Sequence, residues 1–366
     1  MPMKPYQIIY YRGFGSPRAV WLTGRVLRQN DLVSPADEAP FWDNLSASVS
    51  RFLTDEVTGI TVRIETFGQV FRTVTNNEGY FDVTIDPAIE LPTGRAWFPV
   101  RYALEGVLQP EGYEGPSGSG GSRVRTLEVV KDGQLMIAPA YSQFGVISDI
   151  DDTVLVTGAT SLWQTLRLTF LENAFTRLPF AGVAAFYRAL QGGAATTLFN
   201  PIYFVSSSPW NLYDLLIDFF RIQGIPKGPI LLRELELNVG VLSQEGHHLH
   251  KTTMIRKVMA VNPALKFILL GDSGQQDPEI YADIIRDNPG RIVVAYIRDV
   301  SRESHRNTAV QHLIQTAAAH NVPMLLVPNT VAAAEHAAAL GLIDPDTLPE
   351  IRADRKADEK GQGNAD

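Results

Sequence analysis

The stretch FGVISDIDDT, residues Phe144–Thr153, decides the fold of the larger part of this chain. Its apolar start does not alternate with polar residues, which is typical of a strand buried on both faces of a parallel sheet. The strand then meets three carboxylates within four positions, Asp149, Asp151 and Asp152. Carboxylates this close raise one another's pKa, and a bound divalent cation removes that penalty. Because ligands made of oxygen alone suit magnesium, the stretch predicts a Mg²⁺ site at the end of a buried strand.

Further apolar runs follow, separated by stretches of helical pattern. Together with Gly145–Ile147, the runs are Ile202–Val205, Ile230–Leu232, Phe267–Leu270, Ile292–Ile297 and Met324–Val327. The alternation of strand and helix predicts the α/β fold class, here with a doubly wound parallel sheet. We place this domain at residues 141–345.

Residues 1–140 have a different sequence pattern, in which short runs rich in β-branched and aromatic residues alternate with turn residues. The predicted strands are Gln7–Tyr11, Ala19–Arg28, Ile60–Glu65, Gln69–Thr75, Tyr80–Ile85, Trp97–Ala103, Arg123–Val130 and Gln134–Ile137. This succession favours an N-terminal β-sandwich-like domain. Residues Asn76–Gly79 (NNEG) tolerate the positive φ that a hairpin turn demands. We interpret Glu114–Gly121 (EGPSGSGG) as a hairpin loop inside the domain rather than a linker.

The composition limits the classes of function. The 366 residues include no cysteine, which excludes a disulfide framework, a Cys-ligated zinc and a thiolate nucleophile. A net charge of -8 without a basic block speaks against a nucleic-acid partner. No apolar run reaches the ~18 residues of a membrane span, and the N-terminus lacks the apolar core of a signal peptide. We therefore expect a cytoplasmic protein, with peripheral membrane contact as an option.

The last residues, Ile351–Asp366, carry many charges and almost no apolar side chains. Such a composition cannot bury enough apolar surface to offset the entropy of ordering the chain. The sequence therefore predicts a disordered tail at residues 351–366.

Three more chemical groups lie at predicted strand or helix ends. Ser206–Ser208 end the second run, where hydroxyls and free N–H groups hold phosphate oxygens well. Lys251 precedes a helical pattern, and a lysine at the positive end of a helix implies an anion between them. Gly271 and Asp272 end another strand and are followed by Asp277. Ligands bind at the carboxyl ends of strands in open α/β sheets, so we expect these groups to converge.

The order of these motifs resembles the haloacid dehalogenase superfamily of phosphotransferases, in which Asp-x-Asp-x-Thr precedes Ser or Thr, then Lys, then an acidic Gly-Asp motif. Longer strings, roughly between residues 141 and 340, resemble the catalytic domain of the phosphatidate phosphatase family named after a yeast actin-patch protein, a domain widespread in bacteria. The strings are ISDIDDT, YFVSSSPWNLYDLL, GPILLREL, HKTTMIRKVM, GDSGQQDPEIYADI and YIRDV. The resemblance implies a haloacid-dehalogenase-like Rossmannoid fold and a bacterial hydrolase of lipid metabolism. The N-terminal domain lies outside it.

The resemblance also implies how the site residues act. Asp149 would attack phosphorus and form an aspartyl-phosphate. Asp151 would protonate the leaving alkoxide and then deprotonate the attacking water. The phosphoryl oxygens would be bound by Ser206, Ser207 and Lys251, with offsets within Ser206–Ser208 left open.

The implied metal is Mg²⁺, held by Asp149, the backbone carbonyl of Asp151 and Asp272. Asp277 would orient the coordination shell of the metal by contacting metal-bound waters. Thr153 and Gly271 complete the supporting set, and Asp152 is interpreted as a brace of the loop.

The substrate is less closely defined than the chemistry. The gaps between Asp152 and the second strand, and between Ser208 and Lys251, are too short for a large cap domain, so we expect an open site. An open site favours a phospholipid head group or a macromolecule over a small metabolite, and phosphatidate hydrolysis to diacylglycerol and phosphate is the leading hypothesis. Two alternatives stay open. One is another phosphomonoester, of protein, sugar or nucleotide; the other is a scaffold whose β-rich domain binds a partner that the sequence does not identify.

Three features allow two interpretations each. Ser161–Phe175 has an apolar helical face, and we favour a core helix over a membrane-surface helix because only Arg167 adds a basic residue to its polar face. His247–His250 suggests a metal site, but we favour a polar loop leading to Lys251 because no carboxylate or cysteine partner lies nearby. Trp210 fits either the core or a contact with an acyl chain.

Overall fold

The computed structural model describes residues 5–28, 55–90, 94–110, 126–150, 182–195, 199–234, 244–300 and 304–363. The chain divides into two compact units, Met1–Ile137 and Ala138–Asp366. The sequence places the boundary nearby, after residue 140. None of the described helices contains an apolar stretch of the length that a membrane span requires.

Strands make up the first unit. They are β1 (Tyr6–Tyr10), β2 (Gly13–Ser16), β3 (Ala19–Arg28), β4 (Asp55–Glu56), β5 (Thr61–Thr66), β6 (Gln69–Val74), β7 (Tyr80–Ile85), β8 (Trp97–Pro110) and β9 (Thr126–Ile137). One hydrogen-bonded sheet joins them in the order β1-β3-β2-β9-β8-β5-β6, and β4 and β7 also pair with β3. All pairs are antiparallel except β2 with β9, which is parallel.

The core of this unit lies on one face of the curved sheet. Along β5, half-buried and buried side chains alternate, as in a strand with one face against a core. The ring centroids of Phe81 on β7 and Tyr102 on β8 lie 5.6 Å apart, although these strands are not hydrogen-bonded neighbours. The sheet therefore curves around its own core, and the predicted sandwich of two sheets is not confirmed.

The sequence predicts two hairpin connections in this unit, at Asn76–Gly79 and at Glu114–Gly121. Gly79 has a φ of 79°, and the Asn76 side chain accepts hydrogen bonds from the N–H groups of Glu78 and Tyr80. The turn does not close a hairpin, however, because β7 pairs with β3. By contrast, β8 and β9 pair antiparallel up to Pro110 opposite Thr126, so the strands that flank the predicted loop belong to one sheet. Glu114–Gly121 itself lies outside the described residues.

The second unit alternates strands and helices. The strands are β10 (Gly145–Asp149), β11 (Ile202–Pro209), β12 (Ile230–Arg233), β13 (Phe267–Asp272), β14 (Ile292–Arg298) and β15 (Met324–Val327). The helices are α1 (Val183–Gly192), α2 (Tyr213–Ile222), α3 (Gln244–Val261), α4 (Asp277–Asp287), α5 (Ser304–Ala319), α6 (Thr330–Ala339) and α7 (Leu348–Gly363). Short 3₁₀ turns occupy Gly193–Ala195, Trp210–Leu212 and Pro345–Thr347.

The sheet of the second unit is parallel throughout, with the strand order β12-β11-β10-β13-β14-β15. All six apolar runs identified in the sequence are strands of this sheet, which confirms the α/β class. The strand order extends from β10 to β12 on one side and from β13 to β15 on the other. A reversal of this kind opens a crevice at the carboxyl ends of the central strands. The haloacid-dehalogenase-like assignment stays a prediction.

Helix α7 corrects the prediction of a disordered tail, which was wrong for residues 351–363. Ile351 is fully buried. A carboxylate oxygen of Asp354 accepts a hydrogen bond from the backbone N–H of Ala185 at 3.1 Å, and Glu350 forms an ion pair with Arg188 at 2.9 Å. These partners lie on α1, far away in sequence, so the order of the segment comes from tertiary contacts that its composition does not reveal.

Candidate active site

The end of β10 places Asp149 at the centre of the sheet edge. β10 lies between β11 and β13, and Asp149 is its last residue. Successive side chains of a strand point to opposite faces. The Ser148 hydroxyl lies 2.7 Å from the hydroxyl of Tyr187 on α1, whereas the Asp149 carboxylate lies against α3. Asp149 is buried, with 6% of its surface exposed.

The end of β13 contributes the second acid. Ser148 is level with Leu270 in the parallel register, so Asp149 and Asp272 leave the sheet at neighbouring positions. One oxygen of Asp272, Oδ1, accepts hydrogen bonds from the backbone N–H groups of Gly274 at 2.7 Å and Gln275 at 3.1 Å. The other oxygen accepts no hydrogen bond from the residues that the structure describes. This arrangement leaves Oδ2 available for a cation.

Asp277 opens α4 and is fully buried. Both of its oxygens are engaged: Oδ2 accepts the backbone N–H of Asp272 at 3.0 Å, and Oδ1 accepts a hydrogen bond from the Lys251 ammonium at 3.0 Å. A Cβ added to Gly271 would lie 2.5 Å from Asp277 Oδ2, closer than atoms can approach. Gly271 therefore permits the contact between β13 and α4, as expected of a glycine at a close backbone approach.

Lys251 lies between the acids. Its Nζ is 2.6 Å from Asp149 Oδ1 and 3.0 Å from Asp277 Oδ1, and it donates a hydrogen bond to Gln275 Oε1 at 3.0 Å. The lysine is 3% exposed. An ammonium in this position offsets the negative charge that three buried carboxylates would otherwise concentrate.

The position of Lys251 within its helix differs from the prediction. Helix α3 begins at Gln244, so Lys251 lies well inside the helix and not at its N-terminus. The interpretation of His247–His250 as a loop was wrong for the same reason. His250 Nε2 donates a hydrogen bond to the carbonyl oxygen of Ser206 at 3.2 Å, and His248 Nε2 lies 3.6 Å from Asp283 Oδ2.

The three serines lie within β11, which continues through them to Pro209 instead of ending before them. Val205 is level with Asp149, so the serines follow at the same edge of the sheet. Ser206 Oγ accepts the backbone N–H of Ser208 at 3.0 Å. The hydroxyl of Ser207 is buried and has no hydrogen-bond partner within the described part of the chain. A buried hydroxyl of this kind suits a bound anion.

The carboxylates form a group that a metal ion fits. One oxygen each of Asp149, Asp272 and Asp277 lies within 4.8 Å of the others, and all three residues are buried. The donors are all oxygen, which suits a hard cation such as Mg²⁺. Since Lys251 and the Asp272 backbone occupy both Asp277 oxygens, Asp149 and Asp272 are the better candidates for direct ligands.

The electrostatics reflect this crowding. Burial raises the pKa of the Asp277 carboxyl above its ordinary value; the Lys251 ammonium opposes the rise, and the negative charge of Asp272 adds to it. Burial also raises the pKa of Tyr281 well above its ordinary value, helped by the charges of Asp277 and Asp149. Tyr281 therefore stays protonated and donates a hydrogen bond to the carbonyl of Leu270 at 2.6 Å, which fixes β13 against α4.

A cavity of about 40 Å³ lies at the same sheet edge but is lined by Ser148, Tyr187, Tyr296 and further residues on α1 and α6. Its volume accommodates little more than water. Trp210 is buried and packs on Tyr213 with ring centroids 5.9 Å apart, which supports the core interpretation of this residue. The charged cluster, and not the cavity, is therefore the candidate site.

Some predicted residues lie outside the described ones, namely Asp151, Asp152, Thr153 and the segment Ser161–Phe175, so their roles stay predictions. Sequence reasoning also missed two residues that contact the site, Gln275 and Arg306. A glutamine in a turn and an arginine in the first turn of a helix carry no local signal of function.

Comparison with known proteins concerns the same part of the chain as this site. Residues 144–299 match the model of the catalytic domain of phosphatidate phosphatase APP1. The matched region, less than half of the chain, contains Asp149, Lys251, Asp272 and Asp277. The name of this domain indicates a phosphoric monoester hydrolase, which is the enzyme class that the sequence predicts.

Two relatives extend the comparison. Phosphatidate phosphatase APP1 of Saccharomyces cerevisiae is 30% identical over 193 residues, covering 51% of this chain and 32% of the yeast protein. An uncharacterized protein of Schizosaccharomyces pombe is 26% identical over 300 residues, covering 76% of this chain and 45% of its own. The chain thus spans less than half the length of these relatives. A solved carbohydrate acetylesterase from Xanthomonas citri has a TM-score of 0.24 at 10% identity over 82% of this chain and 71% of its own, too low to inform the fold.

Proposed function

We propose that this protein is a Mg²⁺-dependent phosphatidate phosphatase that releases diacylglycerol and phosphate through an aspartyl-phosphate. The observation that carries the proposal is the buried cluster of Asp149, Lys251, Asp272 and Asp277 at the carboxyl edge of the parallel sheet, inside the region that matches the APP1 catalytic domain. The same match supports the lipid substrate.

Asp149 is the nucleophile in this proposal. One of its carboxylate oxygens forms a bond to phosphorus while the bond from phosphorus to the lipid oxygen breaks. Asp151 gives its proton to the departing alkoxide, so diacylglycerol leaves neutral. In the second step Asp151 takes a proton from water, the water oxygen bonds to phosphorus, and the bond to Asp149 breaks. Phosphate is released and both acids return to their starting states.

The remaining residues bind and orient the phosphoryl group. The Lys251 ammonium, already 2.6 Å from Asp149 Oδ1, attracts a phosphoryl oxygen to the nucleophile. The buried Ser207 hydroxyl donates a hydrogen bond to another oxygen, and Ser206 braces the end of β11 through its bond to the Ser208 N–H. Asp277 holds Lys251 and the Asp272 backbone in place.

A magnesium ion would be held by Asp149 and Asp272, with the backbone carbonyl of Asp151 as a further ligand. When bound, it supplies positive charge that screens the approach of the carboxylate to the anionic phosphate. Asp272 suits this role because Gly274 and Gln275 hold one of its oxygens and leave the other available.

The test is phosphate release from a panel of phosphatidate vesicles, a phosphopeptide, a sugar phosphate and a nucleotide, with and without Mg²⁺. We expect hydrolysis of phosphatidate that needs Mg²⁺, and activity of Asp149→Asn at the level of a blank without enzyme. The matched control is Ser148→Ala, one residue earlier but facing Tyr187 on the opposite side of the sheet, which should retain activity. A clear preference for a soluble ester would contradict the lipid assignment, and full activity of Asp149→Asn would contradict the mechanism.

A further inference from the structure

Arg306 lies on α5 and binds the loop between β13 and α4 from outside. Its Nε donates a hydrogen bond to the carbonyl oxygen of Ser273 at 2.8 Å, and its Nη2 donates to the carbonyl of Gln275. Both Nη groups also bind the Glu279 carboxylate on α4. One guanidinium therefore fixes two peptide groups of a four-residue loop.

The Ser273–Gly274 peptide connects Arg306 with the candidate metal ligand. A trans peptide is planar, so its C=O and N–H point in opposite directions. Here the C=O accepts from Arg306 Nε at 2.8 Å, and the N–H of Gly274 donates to Asp272 Oδ1 at 2.7 Å. Arg306 and the Asp272 carboxylate therefore lie at the two ends of one rigid unit.

This connection has an electrostatic consequence as well as a geometric one. A charged donor on the carbonyl polarises the peptide and makes its N–H a stronger donor to Asp272. The hydrogen bond to Glu279 raises the pKa of the Arg306 guanidinium, and the charges of Asp272 and Asp277 also raise it. The arginine thus remains charged, and it attracts the carboxylates of Asp272 and Asp277 electrostatically without contacting them.

The loop also connects Arg306 to Lys251. The side chain of Gln275 accepts a hydrogen bond from Lys251 Nζ at 3.0 Å, and the carbonyl of the same residue accepts from Arg306. Ser273 is held a second time, because its hydroxyl accepts the backbone N–H of Val300 at 3.0 Å. Loss of Arg306 would free the peptide groups while leaving the rest of the loop attached.

We infer that Arg306, oriented by Glu279, is a positioning residue that aims the free oxygen of Asp272 at a divalent cation by holding the Ser273–Gly274 peptide. This inference rests on the proposed Mg²⁺ site. Hydrogen-bonding partners behind a metal ligand typically change metal affinity by about 10–100-fold when they are lost.

Arg291 provides a matched control. It also donates to backbone carbonyls, those of Met259, Asn262 and Leu265, but the loop that it holds precedes β13, at the opposite edge of the sheet. Arg291→Gln removes the same kind of contact without reaching Asp272.

The experiment measures Mg²⁺ binding to the full chain by calorimetry, without substrate. We expect Arg306→Gln to raise the Kd for Mg²⁺ about tenfold, Arg306→Lys to lie between it and wild type, and Arg291→Gln to leave the Kd unchanged. Glu279→Gln removes the charge that orients Arg306 and so weakens its hold on the loop. This variant replaces Arg306→Gln if the latter does not fold. Wild-type binding with an unchanged Kd in the Arg306 and Glu279 variants would overturn the inference, as would an equal effect of Arg291→Gln. A wild type that binds no Mg²⁺ would overturn the proposed metal site itself, and the inference with it.

Discussion

The Nζ of Lys251 lies 2.6 Å from Oδ1 of Asp149, and both side chains are almost completely buried. A second carboxylate, that of Asp277, lies 3.0 Å from the same ammonium. Charges taken out of water need a partner of opposite sign, since an unpaired buried charge is strongly destabilising. The lysine therefore stabilises the site before any ligand arrives, and in the proposed mechanism it also supplies the cation that binds the phosphoryl group.

Replacing Lys251 tests both roles. Lys251→Met should lower kcat about 10²–10³-fold, because it removes a donor to the phosphoryl oxygens. It should also lower the free energy of unfolding by about 3–5 kcal/mol, because it leaves two buried carboxylates facing each other. Phosphate release and chemical denaturation measure these effects. Lys257→Met on the same helix is the control for activity and should leave kcat unchanged, and an active Lys251→Met would contradict the assignment.

Gly271 should tolerate no side chain. The methyl group of Gly271→Ala would lie 2.5 Å from Asp277 Oδ2 and push α4 away from β13. We expect a loss of about 1–3 kcal/mol of stability together with a loss of activity, measured by thermal unfolding and phosphate release.

Gly290→Ala is the matched control for this change. Gly290 has a φ of 74° and open space around it, so alanine there adds about 1–2 kcal/mol of backbone strain far from the site. Similar destabilisation with retained activity is expected. Normal activity in Gly271→Ala would show that the contact between Gly271 and Asp277 is unimportant.

Magnesium should stabilise the folded chain. Free Mg²⁺ at roughly 100 times its Kd stabilises a folded protein by about 2.7 kcal/mol, which raises the midpoint of thermal unfolding. Asp272→Asn should abolish this rise, because it removes the charge of a candidate ligand. Asp287→Asn, at the other end of α4, should leave the rise intact. A rise of equal size in Asp272→Asn would place the cation elsewhere.

Helix α7 should contribute to stability. Ile351 is fully buried, so Ile351→Ala should cost about 2–5 kcal/mol of unfolding free energy in urea denaturation. Arg352→Ala removes only an exposed ion pair with Glu335 and should cost less than about 1 kcal/mol. An effect of Ile351→Ala as small as that of Arg352→Ala would mean that the segment behaves as the disordered tail that its composition suggests.

The strands and the acids were predictable because their signals are local. The six apolar runs are the six parallel strands, because a strand that is buried on both faces has apolar residues at consecutive positions. Asp149 and Asp272 follow two of those runs directly, and parallel strands bring their carboxyl ends to one edge. Their convergence followed from topology alone.

The errors concern contacts between residues far apart in sequence. The polar run before Lys251 looked like a loop, yet it is helical, with His250 bonded to Ser206. The charged end of the chain looked disordered, yet Glu350 meets Arg188 on α1. Arg306 is likewise recognisable only once α5 packs beside the loop after β13. A sequence pattern indicates burial and periodicity, but it does not indicate which distant residue forms a hydrogen bond or ion pair with a given polar side chain.

The most direct test of the account is to trap the phosphorylated enzyme. The full chain would be mixed with ³²P-labelled phosphatidate and Mg²⁺, quenched in acid within milliseconds and digested. We predict a label that is released by hydroxylamine, as an acyl phosphate is, and that maps to the peptide containing Asp149. Rapid hydrolysis of phosphatidate with no label on the protein, or with the label on a peptide without Asp149, would contradict the claim that this aspartate attacks phosphorus.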